Sequence, residues 1–63
     1  MNPFDTVASG GKYVVSYILD GWLLEKIFVA NGKTHLMCLW QNFAEGAGVA
    51  LSAITTIERE EAV

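Results

Sequence analysis

Tyr13-Val14-Val15-Ser16-Tyr17-Ile18-Leu19-Asp20-Gly21 is the stretch on which the fold turns. Its first seven residues are dense in β-branched and aromatic side chains, which fit a pleated, half-buried surface. Asp20-Gly21 then supplies the positive φ angles that tight hairpin turns require. Residues 22–30 form the next apolar run, closed by Asn31-Gly32, a second hairpin signal of the same kind. Residues 34–41 read as a third run, and Asn42-Phe43-Ala44-Glu45-Gly46-Ala47-Gly48 as a loop by its glycines. Residues 49–57 are a fourth run, ahead of the charged Glu58-Arg59-Glu60-Glu61. Three to five short strands punctuated in this way predict a mainly β chain, a small antiparallel barrel or meander.

Upstream, residues 1–11 read as a lead-in. Pro3 suits the first position of a short helical turn through Ala8, which Ser9-Gly10-Gly11 stops. The predicted organisation is therefore a lead-in at 1–11, one barrel domain at 12–58 and a charged tail at 59–63. A helical reading stays open for two segments. Leu19, Trp22, Leu23, Ile27 and Ala30 share a helical face, with Asp20 as cap and Gly32 as stop; Val49, Ala50, Ala53, Ile54 and Ile57 share another.

The strand faces carry the functional question. As a strand, residues 22–30 place Trp22, Leu24 and Phe28 on one side and Leu23, Ile27 and Val29 on the other. The third run is apolar on both sides as well, with Met37 and Leu39 opposite Leu36, Cys38 and Trp40. Only the first run is half-polar, through Lys12, Ser16 and Asp20. A lone sheet with one wet face alternates more cleanly. A helix, another chain or strong barrel curvature has to cover the second face.

Size sharpens the point. Sixty-three residues make one domain, and 52% of them are hydrophobic. So small a core barely offsets the entropy of ordering the chain. Cys38 is the single cysteine, which excludes an intrachain disulfide. One His and one Cys, three positions apart, cannot complete a four-ligand zinc site without a second chain, and neither metal nor cofactor is expected. Association, including homo-oligomerisation, is the remaining source of stability.

The net charge is −3, with only Lys12, Lys26, Lys33 and Arg59 positive. Nucleic-acid binders draw most of their affinity from cations that neutralise phosphates, so a general DNA or RNA binder is disfavoured. A basic protein surface suits this balance better. No membrane span is expected, because residues 13–30 are broken by Asp20, Glu25 and Lys26. The start lacks the basic and apolar regions of a secretory signal, and a lone thiol suits a reducing compartment. The expected location is the cytoplasm.

Chemistry is sparse. His35 is the only imidazole, so Ser9, Ser16 and Ser52 have no triad to join. On a strand, His35 and Cys38 would point to opposite faces, leaving Cys38 as a small core residue. Gly10-Gly11-Lys12 is too short for a phosphate loop. No acid, base and nucleophile can be assembled, and the chain reads as a non-enzyme. The aromatics stand out instead, since Trp and Tyr dominate binding hot spots as well as small cores. Trp22 beside the first turn, with Trp40 and Phe43 at the glycine-rich loop, form the expected partner-binding patch; Glu45, Glu58 and Glu60 supply its charge.

The order of elements also resembles the Sm-like, Hfq-like family of ring-forming RNA-binding barrels. Asn2-Pro3-Phe4 is similar to the Asp-Pro-Phe that opens the family's helix, and residues 13–21 to its first strand and turn. Leu36 to Asn42 resembles the third strand, and Ala53-Ile54-Thr55-Thr56-Ile57 the Ala-Ile-Ser-Thr-Val of the last. The resemblance implies a short N-terminal helix and a small Sm- or SH3-like barrel. The family's RNA-contacting Tyr-Lys-His is Ala50-Leu51-Ser52 here, its second-strand glycine falls near Lys26, and its basic residues around the helix are missing. Two functions follow as expectations: a small acidic protein-interaction adaptor or inhibitor of phage-like economy, or a ring-forming RNA-binding protein.

Overall fold

The computed structural model describes residues 3–60. A 3-10 turn at Pro3–Thr6 leads into strand β1 (Gly11–Leu19), strand β2 (Trp22–Ala30), helix α1 (Lys33–Ala47), a second 3-10 turn at Leu51–Ala53 and strand β3 (Ile54–Glu60). The sheet is antiparallel and open, in the order β2-β1-β3. The chain is thus a small, mainly β domain with one helix, and its sheet keeps two edges.

The β1–β2 hairpin forms where the sequence predicts it. Asp20 and Gly21 take φ angles of 52° and 83°, the paired positive values of a two-residue turn whose twist matches its strands. The turn sets the register from Leu19 opposite Trp22 to Gly11 opposite Ala30. Tyr13, Val15 and Tyr17 therefore face one side with Phe28 and Ala30, and all five are buried.

After Asn31-Gly32 the structure departs from expectation. Residues 34–41 are helical rather than a third strand, and most of the expected loop, through Ala47, continues the same helix. Leu36, Trp40 and Ala44, four residues apart, form its buried stripe, with Leu39 and Phe43 packed alongside. This period of nearly four, sustained over 15 residues, outweighs the period of two seen over eight. The Asn31-Gly32 pair opens the helix instead of a hairpin: the Leu36 amide donates to the Gly32 carbonyl at 3.0 Å, and the Asn31 amide donates to His35 Nδ1 at 2.9 Å. Gly48 ends it at φ 72°, and the Val49 amide donates to the Ala44 carbonyl at 2.9 Å.

α1 lies on the Tyr13–Val15–Tyr17 side of the sheet. Tyr17, Phe28, Trp40 and Phe43 meet there with ring centroids 5.4–5.9 Å apart. Trp40 is 2% exposed, and its indole N–H donates to the Leu51 carbonyl at 3.0 Å. Phe4 and Val7, from the lead-in, close the same core. An exposed ion pair of 3.2 Å between Lys33 and Asp5 ties the lead-in to the helix start.

β3 begins at Ile54, so the fourth run is a 3-10 turn at Leu51–Ala53 followed by a strand, and not helical throughout. It pairs with β1 through a bulge between Ser16 and Tyr17. Arg59 and Glu60, assigned by sequence to a tail, complete this strand; residues 61–63 of that tail, and residues 1–2 of the lead-in, lie outside the described residues.

Candidate interaction surface

The hairpin register decides what the second face of the sheet offers. Side chains directly opposite one another share a face. Ile18 therefore stands beside Leu23, Val14 beside Ile27, and Lys12 beside Val29, all on the side away from α1. No element covers that side among the described residues. Leu23 is 64% exposed, Val29 70% and Ile27 50%, with Ile18 also exposed.

The β3 end of the same face is acidic. Glu58 sits opposite Val14 and Glu60 opposite Lys12, with a 3.9 Å ion pair between Lys12 and Glu60. Glu25, opposite Ser16, adds a carboxylate on β2. The remaining cations of the sheet face the helix side: Lys26 lies 5.6 Å from the centre of the Phe43 ring, and Arg59 donates to the Ser9 hydroxyl at 2.8 Å. The open face thus combines an apolar strip on β1–β2 with a carboxylate margin on β3.

The residues expected to form one patch are separated. Trp22 is 71% exposed but lies on the helix side of β2, at the hairpin end that α1 leaves bare. Trp40 and Phe43 are not beside it at a loop. They belong to the aromatic core under α1, and a tryptophan that is 2% exposed has no ring to offer a partner. Glu45 stands on the exposed side of α1, where it accepts from Gln41 Nε2 at 3.3 Å. Glu58 and Glu60 do line the open face. Leu23, Ile27, Val29 and Ile18, which the sequence reading did not nominate, are its centre. The signal for them was already visible in a strand apolar on both sides.

His35 and Cys38 are also placed differently. Three positions apart on a helix they are neighbours, not opposed, and Cys38 is exposed rather than in the core. His35 Nδ1 is occupied as the acceptor for Asn31. A shallow depression of about 410 Å³ lies elsewhere, lined by Pro3, Phe4, Met37, Leu51, Ser52 and Ile54, with a single hydroxyl as its side-chain chemistry. Among the described residues no group of three His, Cys, Asp or Glu side chains is placed to hold a metal, and no helix is long and apolar enough to cross a membrane. Comparison of the chain with protein family models, with curated proteins and with solved structures gives no match to any of them.

Proposed function

We propose that this chain is a non-enzymatic protein-interaction module, of the adaptor or inhibitor kind, that binds its partner on the open face of the sheet. One observation carries the reading: an uncovered strip of Ile18, Leu23, Ile27 and Val29 beside the carboxylates of Glu58 and Glu60. Contiguous apolar surface rimmed by polar groups marks interaction sites. Its acidic margin favours a partner whose own apolar strip is flanked by Lys or Arg, because such charges speed encounter and fix orientation.

A model amphipathic peptide of leucine and lysine, with a leucine–glutamate counterpart as control, tests the reading by amide chemical-shift mapping. The lysine peptide is expected to move the resonances of β1 and β2 on the open face, and to bind less tightly as salt is added. The double substitution Ile18→Ser with Leu23→Ser weakens binding by about tenfold or more in a folded chain. Equal binding of both peptides, or shifts confined to α1, overturns the reading.

A further inference from the structure

The two edges of this sheet are built differently. β3 ends in Glu58-Arg59-Glu60 and is joined to β1 through a bulge, two devices that discourage further strand pairing. β2 has neither. It is nine residues long, carries no proline, and pairs with β1 without a register shift. Its only charges, Glu25 and Lys26, are adjacent and of opposite sign.

The turn also determines which main-chain groups β2 leaves free. A two-residue loop closes on a hydrogen-bonded pair, here Leu19 and Trp22, and the bonded pairs then recur at every second residue. Trp22, Leu24, Lys26, Phe28 and Ala30 direct their amides and carbonyls to β1. Leu23, Glu25, Ile27 and Val29 direct theirs away from the sheet. Among the described residues, no backbone hydrogen bond from a turn, loop or cap reaches these groups.

We infer that a second copy of this chain pairs with that edge, β2 against β2 and antiparallel, with Ile27 on the two-fold axis. Charge selects the register. The symmetric pairing of greatest overlap places Lys26 against Lys26 of the second copy, in a close non-hydrogen-bonded pair. A shift towards the turn places Glu25 against Glu25, and like charges directly opposite are unfavourable. The shift towards Ala30 sets Ile27 against Ile27, Glu25 against Val29 and Lys26 against Phe28, with no like charges opposed. This register also brings bare Trp22 alongside the Asn31-Gly32 bend of the second copy. The acidic β3 strands fall at the two far ends of a six-stranded sheet, where their mutual repulsion is weakest.

Trp22, Leu23, Leu24, Ile27 and Val29 are 71%, 64%, 38%, 50% and 70% exposed. They leave on the order of 600 Å² of each copy in water; edge pairing covers only the flanks of these side chains, so the main-chain ladder carries most of the association. The inference stands on the edge of β2 and goes beyond the proposed use of the face. Pairing at the edge leaves that face open and doubles its width.

Size-exclusion chromatography with light scattering, on wild type and Ile27→Lys, is the test. The wild type is expected at twice 6.9 kDa. Ile27→Lys opposes two ammonium groups on the axis and raises the dimer dissociation constant about tenfold or more, with the fold checked by circular dichroism. In a Cys38→Ser background, Ile27→Cys crosslinks under mild oxidation, because its Cα atoms sit roughly 5.5 Å apart in the pair. Val29→Cys does not, since its two copies are about 14 Å apart in this register. A wild type that stays at 6.9 kDa, or a dimer indifferent to Ile27→Lys that links through Val29→Cys, overturns the inference. Neither result decides the peptide binding proposed above, whose test is the Ile18→Ser, Leu23→Ser double variant; Ile27 and Val29, which belong to the same strip, are varied here only for mass and crosslinking.

Discussion

The two faces of this sheet are made of similar residues and have opposite fates. Tyr13, Val15 and Tyr17 alternate along β1 with Val14, Ser16 and Ile18, and Phe28 neighbours Ile27 and Val29 on β2. One set is buried beneath α1; the other stands in water or half-buried. Apart from Ser16, local sequence does not distinguish them, since both sets are β-branched or aromatic and both suit a strand. The difference is made by a single stripe of Leu36, Trp40 and Ala44. An apolar side chain in this domain is structural only where that stripe reaches it. Elsewhere it is available to a partner.

The comparison is most severely tested by removing the cover. Trp40→Ala deletes the central ring of the aromatic cluster and leaves the Leu51 carbonyl without its indole donor. A loss of about 3–5 kcal/mol is expected in urea unfolding, which in so small a domain leaves little folded protein. Stability unchanged by this variant would mean that α1 does not hold the core. The next effect is smaller. Val15 is fully buried, and Val15→Ala should cost about 2 kcal/mol by the same measurement, from lost methyl groups and the cavity they leave. The smallest sharpens the contrast on the opposite face. Leu23→Thr, at a residue 64% exposed, should move the midpoint by no more than about 0.5 kcal/mol and improve solubility. A large destabilisation there, in dilute monomer, would show that the open face is already covered.

What could be read in advance follows this division between local and distant interactions. The hairpin was legible because its determinants are contiguous: Asp20-Gly21 accepts positive φ, and the strands beside it share an alternating pattern. The register came with the turn, and so did the assignment of Phe28 and Val29 to opposite sides. Residues 34–41 were misread as a strand because Leu36, Cys38 and Trp40 also alternate with Met37 and Leu39. The decisive residues, Phe43 and Ala44, lie beyond the point where glycines suggested a loop. Gly46 is tolerated in the last turn, and Gly48 stops the helix in the left-handed region. Of the candidate site, Trp22, Glu58 and Glu60 were nominated and are exposed, while Trp40 was nominated for the surface and is packed inside. Its indole is equally suited to either place, and only its neighbours settle which.

The sequence by itself determined the hairpin, its turn and the two-sided apolar character of β2, because backbone preferences act over a few residues. The tertiary structure alone decided which side of that sheet is interior, which edge is guarded and where the aromatic rings meet. Those outcomes depend on contacts between residues far apart in the chain, such as Tyr17 with Trp40 and Val15 with Ile57, whose burial no local pattern encodes.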